Sequence, residues 1–146
     1  MVAAASLVAP WLSRLEVQSA AGIWTRAPRA AYSRLQDAAG LNPFSDEAYL
    51  VAGSIALRYG DLALADRRFS QALARSPDDA YATLERGAIA SSSGQQDAAL
   101  RLLTRAAQLQ PRDAVTRRAL AAARAGRRVS VAELNRSILY QAEQLR

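Results

Sequence analysis

Residues 46–79 read DEAYLVAGSIALRYGDLALADRRFSQALARSPDD, and residues 80–113 read AYATLERGAIASSSGQQDAALRLLTRAAQLQPRD. The two stretches are 34 residues each, and like falls on like between them: Gly53 on Gly87, Gly60 on Gly94, Ala65 on Ala99, Phe69 on Leu103, Ala72 on Ala106 and Pro77 on Pro111. One step upstream, Ala31, Leu35, Ala38 and Pro43 continue the series. Small residues align with small, bulky with bulky and proline with proline. A fixed period of roughly 20–50 residues marks a fold of stacked, similar units.

Within each period the apolar spacing is helical. Ala31, Leu35 and Ala38 share a face, as do Ala65, Phe69 and Ala72. Pro28 suits a first helical turn, where its missing N–H is not needed. Gly40 is expected to stop that helix, with Asn42-Pro43 as the turn. Ser45 or Asp46 then caps a helix over about 46–59, with Tyr49, Ala52, Gly53 and Ala56 inward, and Gly60-Asp61 breaks it. Helices over about 62–75, 80–92 and 96–109 follow, with Asp79 as a further cap. A last cycle opens at Asp113, but Gly126 arrives two residues before the period requires. Ser130 and Glu133 form a capping box for a final helix to about 144, with Leu134, Ile138, Leu139, Ala142 and Leu145 available for burial and Asn135, Arg136, Gln141, Glu143 and Gln144 outward. Connections of two to five residues make neighbouring helices antiparallel. The expected architecture is all-α, a right-handed solenoid of helix pairs closed by a terminal capping helix.

Composition agrees. The chain has 146 residues, enough for one domain, and much of its 51% hydrophobic content is alanine, with aromatics only 6%. Alanine is the best helix former and buries little area, so helices must approach closely. Cysteine and histidine are absent, which removes disulfides, Cys/His zinc sites, thiol catalysis and histidine acid–base chemistry. All 19 basic residues are arginine, for a formal charge of +6. A GC-rich coding sequence produces that bias; a functional demand for guanidinium groups is the alternative.

Residues 1–13, MVAAASLVAPWLS, are apolar but shorter than the roughly 20 residues a membrane span needs. They lack the basic start and clear cleavage site of a secretory signal. They are either a first helix packed on the repeats or the tail of a membrane segment, with Trp11 and Trp24 then at interfacial positions. The organisation expected is therefore an apolar or membrane-proximal segment over 1–27, a half repeat over 28–45, repeats over 46–79 and 80–113, and a degenerate capping repeat over 114–146.

Residues 46–79 resemble a tetratricopeptide repeat: Tyr49, Ala52-Gly53, Ala56, Ala65-x-x-x-Phe69 and Pro77 stand at the positions of its signature. Residues 80–113 match less fully, through Thr83, Arg86-Gly87, Ala90, Ala99-x-x-x-Leu103 and Pro111. The resemblance implies a protein–protein interaction scaffold and says almost nothing of the partner. More weakly, the whole layout resembles the C-terminal extramembrane part of bacterial membrane proteins similar to O-antigen ligases or polymerases. The features are the apolar start, LNPFSDEAYLVAGSIALRYGD and the closing AGRRVSVAELN. That would make the chain an extramembrane domain of, or partner to, an envelope polysaccharide ligase or polymerase. No catalytic residue of that family can be carried over, because its membrane part is not in this sequence.

The first helix of each pair lines the concave face of such a stack. It is expected to present Glu47, Leu50, Ser54, Leu57 and Arg58, then Tyr81, Leu84, Glu85, Ala88 and Ser91. An apolar strip flanked by charge suits an extended peptide or a partner helix, unless neighbouring helices already cover it. Leu50, Ser54 and Glu85 stand where a carboxylate-gripping repeat would use Lys, Arg or Asn, which argues against a chaperone-tail clamp. Arg112, Arg117, Arg118, Arg124, Arg127 and Arg128 form a basic cluster that could meet anionic lipid or another polyanion. No aromatic side chains lie between them to stack on bases, so nucleic acid is disfavoured, and a solvated terminal repeat is the plain alternative. Asp78-Asp79 reads as helix capping, and Ser130 as an N-cap rather than a phosphorylation site. No phosphate-binding loop, nucleophile elbow or metal-ligand spacing occurs, so the expectation is a non-enzymatic adaptor without cofactor that binds a protein or peptide. Residues 1–24 offer a route to membrane association, and the setting would be either cytoplasmic or membrane-associated and extracytoplasmic in a bacterium. Oligomeric state has no signature.

Overall fold

The computed structural model describes residues 5–144, with the side chains of residues 5–9 and 11 left out. Met1 to Ala4 of the apolar start, the Trp11 side chain and Leu145 therefore lie outside the described residues. Among the described residues there are eight α-helices and no strand: α1 (Ala5–Ile23), α2 (Pro28–Leu41), α3 (Glu47–Arg58), α4 (Leu62–Leu73), α5 (Ala80–Ser92), α6 (Gln96–Leu109), α7 (Ala114–Arg124) and α8 (Val131–Gln144). The chain divides into two compact units, Met1–Pro77 and Asp78–Arg146.

The turns follow from the residues at the helix ends. Gly60, Gly94 and Gly126 all adopt left-handed backbone, at φ 75, 79 and 69°. Each closes its helix with the same pair of bonds: Gly60 N–H to Leu57 O and Asp61 N–H to Ala56 O, then Gly94 to Ser91 with Gln95 to Ala90, then Gly126 to Ala123 with Arg127 to Ala122. These are Schellman closures, and an L side chain at the glycine would be strained. Asp61, Asp79 and Asp113 then accept the N–H of the residue three ahead, at 2.9, 2.6 and 2.7 Å. One local expectation needs correction. Helix α2 runs through Gly40 to Leu41, because Gly40 keeps helical backbone and it is Asn42-Pro43 that ends it. Of the two residues expected at the start of α3, Ser45 is the one whose Oγ accepts a backbone N–H, that of Glu47 at 3.2 Å, while Asp46 makes no capping bond.

In the first unit, α1 packs along α2, burying Val17 and Ala20 against Ala31, Leu35 and Ala38, and Ser13 Oγ donates to Ala38 O at 2.8 Å. Residues 28–41 are thus the second helix of a complete pair whose first helix is α1. Helices α3 and α4 form the next pair around Phe69, which is fully buried. A Cβ at Gly53 would stand 2.7 Å from the Phe69 ring, so only glycine permits this approach. In the second unit α5 and α6 meet the same way, with a Cβ at Gly87 2.8 Å from Leu103. A cluster of Leu84, Ala88, Leu103, Ala106, Val115, Ala119, Leu120, Val129 and Leu134 joins α5, α6, α7 and α8.

Helix α8 does not repeat the role of α4 and α6. It lies on α5 and α7 rather than pairing closely along α7. Val129, just before α8, is held at the C-terminal end of α5: its N–H donates to Ser91 Oγ at 2.8 Å, and its carbonyl accepts from Ser92 Oγ at 3.0 Å. Asn135 then meets Glu85, and Gln141 reaches Asp113 ahead of α7. Helix α8 therefore runs antiparallel to α5. At about 100° per residue, Glu85 lies about 160° round α5 from Gly87, the residue that faces α6. Helices α6 and α8 thus cover nearly opposite sides of α5.

Candidate partner-binding faces

On α3, Glu47 and Arg58 are exposed while Leu50, Ser54 and Leu57 are half-buried. Ser54 Oγ donates to Leu50 O at 2.9 Å, so the hydroxyl is turned back on its own helix. The Arg58 guanidinium sits 5.5 Å from the centre of the Trp24 ring. Trp24 also meets Tyr59 edge-on at 5.8 Å, and the Tyr59 hydroxyl donates to Trp24 O at 2.8 Å. This Trp24–Arg58–Tyr59 cluster keeps aromatic surface and a cation at the surface of the first unit, Tyr59 being 50% exposed. Sequence alone gives Trp24 an interfacial position if the N-terminal segment is the tail of a membrane segment, and does not fix its contacts. Its partners lie 34 and 35 residues away, and nothing local signals them.

A cleft in the same unit is lined by Tyr32, Gln36, Tyr49, Arg68 and Gln71 over Leu35, Ala48 and Ala52. Arg68 donates to Gln71 Oε1 at 3.1 Å, but its buried Nε has no hydrogen-bond partner. Arg75 stacks over Tyr49 at 4.1 Å and donates to its hydroxyl at 2.8 Å and to Pro43 O at 3.0 Å. Tyr49, expected inward, is thus half-buried under an arginine. Burial, with Asp61 nearby as the second cause, raises the Tyr32 phenol.

The α5 residues expected on the same open face are placed differently. Tyr81 is half-buried, and Leu84, Glu85, Ala88 and Ser91 are buried. Leu84 and Ala88 belong to the core with Val115 and Leu134, Ser91 Oγ accepts from Val129, and Glu85 lies under Asn135. Helices α7 and α8 cover them, so they do not form an open apolar strip. Asn135 and Gln141, expected outward, are half-buried hydrogen-bond donors that hold α8 down, whereas Leu139 and Ala142, expected inward, are exposed.

Glu85 is the electrostatic centre of this covered face. It is fully buried, and burial pushes its carboxyl up to about 7 against the opposing pull of Asn135 and Tyr81. Oε2 accepts from Asn135 Nδ2 at 3.3 Å, while Oε1 has no hydrogen-bond partner. For Asp113 burial acts upward too. There the Thr116 hydroxyl and N–H and the Gln141 amide outweigh it and leave the carboxyl below its usual range.

The six arginines of the basic cluster are all exposed. Arg118, Arg127 and Arg128 line one cleft between α7 and α8 with Glu133, whereas Arg112, Arg117 and Arg124 do not line it. Among the described residues no group of three Asp or Glu is placed to hold a metal ion, and no helix is long and apolar enough to cross a membrane.

Neither a family model nor a curated protein matches the sequence. Solved structures do. The first tetratricopeptide domain of Spaghetti (RPAP3), bound to the HSP90 peptide SRMEEVD, is similar at 14% identity and a TM-score of 0.71, covering 80% of this chain and 94% of that one. The Arabidopsis OM64 tetratricopeptide domain is similar at 17% identity and 0.71, covering 81% and 98%. The MamA protein follows at 19% identity and 0.67, covering 90% and 74%. At these identities the likeness is one of fold, and none of the matches bears on the O-antigen ligase resemblance. With its helix pairs and glycine-mediated approaches, the chain has the tetratricopeptide repeat fold.

Proposed function

We propose that the chain is a non-enzymatic scaffold that binds a protein or peptide, and that the exposed side of α3 is where the partner engages. The observation that supports this is the contrast between two helices in corresponding positions of the repeat. The α5 residues are buried under α7 and α8, whereas Glu47 and Arg58 on α3 remain exposed above half-buried Leu50 and Leu57. Opposite charges at the two ends of the helix give a partner polarity as well as apolar area, which sets orientation. The Trp24 ring beneath Arg58 adds an aromatic anchor of the kind enriched in binding hot spots.

The test is site-specific photo-crosslinking in the native cell, with the photoreactive residue at position 47 or, as control, at exposed Arg101 on α6. The reading predicts a discrete adduct from position 47 and none from 101. Arg58→Glu should abolish that adduct while leaving the far-UV circular dichroism unchanged. A set of adducts identical from both positions, or one indifferent to Arg58→Glu, would refute it.

A further inference from the structure

The face of α5 and α7 beneath α8 is better suited to a helix than α8 itself is to that face. Helix α8 buries only Leu134, whereas α6, on the other side of α5, buries Ala99, Leu103 and Ala106. Its largest apolar residues turn away from the unit, Leu139 at 48% and Tyr140 at 65% exposure. Clefts remain on both flanks, one lined by Tyr81, Leu84 and Ile138, the other by Ala119, Ala122 and Ser137. Beyond Leu134 and the half-buried Val131 and Ile138, what holds α8 is polar: the Ser91 and Ser92 bonds to Val129, Asn135 on Glu85 and Gln141 on Asp113. The link before it, residues 125–130, is twice the length of the three-residue links 59–61 and 93–95, so α8 can leave without disturbing α7.

The weakest of those contacts lies at the centre. The Asn135 amide divides its donors between Glu85 Oε2 at 3.3 Å and its own Val131 carbonyl at 3.0 Å, and although Tyr81 also acts on the carboxyl, Glu85 Oε1 has no hydrogen-bond partner. A buried carboxylate with one oxygen unsatisfied is costly. Two parallel N–H donors on a planar cation satisfy both oxygens at once, and only arginine offers them. We propose that this face is a helix-binding site whose intramolecular occupant is α8, and that the partner helix which displaces α8 carries an arginine where α8 carries Asn135. Apolar residues at the positions of Leu134 and Ile138 complete that partner. The surface belongs to the second unit and does not depend on the α3 reading.

Hydrogen exchange on the full chain tests this with two synthetic peptides, one with the sequence of residues 127–146 and one with the same sequence carrying Asn135→Arg. The arginine peptide should strip protection from the α8 amides saturably, with α5 and α6 unchanged, at a half-saturation at least about tenfold below that of the parent peptide, a difference of about 1.4 kcal/mol. In a Glu85→Gln chain the two peptides should converge. In the full chain, Asn135→Arg should slow exchange of α8 and weaken binding of both peptides. The proposal is overturned if the arginine peptide has no advantage on the natural chain, if its advantage survives Glu85→Gln, or if neither peptide alters α8. None of these measurements involves α3, so failure here leaves the proposed function standing.

Discussion

Replacing Gly53 by alanine should destabilise the protein, against the usual effect of that change within a helix. Alanine exceeds glycine in helix propensity by about 1 kcal/mol, which alone would stabilise α3. The new Cβ, however, would stand 2.7, 2.8 and 2.9 Å from Cε1, Cζ and Cδ1 of Phe69. Real Cβ atoms do not come that close, and the Phe69 ring is 0% exposed, so it can yield only by moving its neighbours. Overpacking of this kind costs about 1–3 kcal/mol, leaving a net loss of about 1 kcal/mol. Gly40→Ala is the matched control: it lies in α2 with nothing within 4 Å of its Cβ, and should be neutral or stabilise by a few tenths to about 1 kcal/mol. Urea unfolding followed by circular dichroism reads both as shifts in midpoint. A double-mutant cycle with Phe69→Leu isolates the cause, since the shorter side chain should relieve the clash and give a coupling of about 1 kcal/mol. If Gly53→Ala is as stable as the natural chain and adds to Phe69→Leu within about 0.3 kcal/mol, the close-approach argument fails.

Three further outcomes are expected. The Glu85 carboxyl titrates at about 7 in the fold against a reference of 4.5, so folding favours its protonated form. Its contribution is full below about pH 4.5 and is lost as pH rises through about 7, a change of about 3 kcal/mol, order of magnitude; Glu85→Gln should flatten the difference in urea midpoint between pH 5 and pH 8. Asp79→Ala should cost about 1 kcal/mol through loss of the α5 cap, and Asp113→Ala more, because Asp113 also receives the Thr116 hydroxyl and Gln141; thermal melts of the two variants check the order. Gly94→Ala meets no atom within 4 Å but forces a side chain onto φ 79°, and should cost about 1–2 kcal/mol in the same melts.

The periodic part of the fold was legible because its determinants are local or exactly repeated. Gly60, Gly94, Asp61 and Asp79 place their turns by themselves, and helices over 80–92 and 96–109 appear with those bounds. Gly53 with Phe69 and Gly87 with Leu103 carry the close approach in residue types alone. The ends were harder to read. The link 24–27 has four residues, one more than 59–61 and 93–95, so α1 falls out of the 34-residue register and its pairing with α2 left no periodic trace. At the other end the six-residue link 125–130 lets α8 turn onto α5, and periodicity cannot show which helix a long link delivers its successor to. That is why Leu84, Glu85, Ala88 and Ser91 read as an open strip: helical spacing identifies a face, not what covers it. Asn135 and Gln141 read as surface residues for the same reason, since their partners Glu85 and Asp113 are 50 and 28 residues away.

The difference between an open α3 and a covered α5 underlies both the proposed partner face and the role assigned to α8. Carbodiimide labelling of carboxyl groups in the free chain, read by mass spectrometry, measures it directly at two glutamates. Glu47 is exposed and Glu85 is 0% exposed. Glu47 should react readily and Glu85 at least about tenfold more slowly, with Asn135→Asp raising the Glu85 rate by placing a second carboxylate against the buried one. Equal labelling of Glu47 and Glu85 in the natural chain would contradict the account.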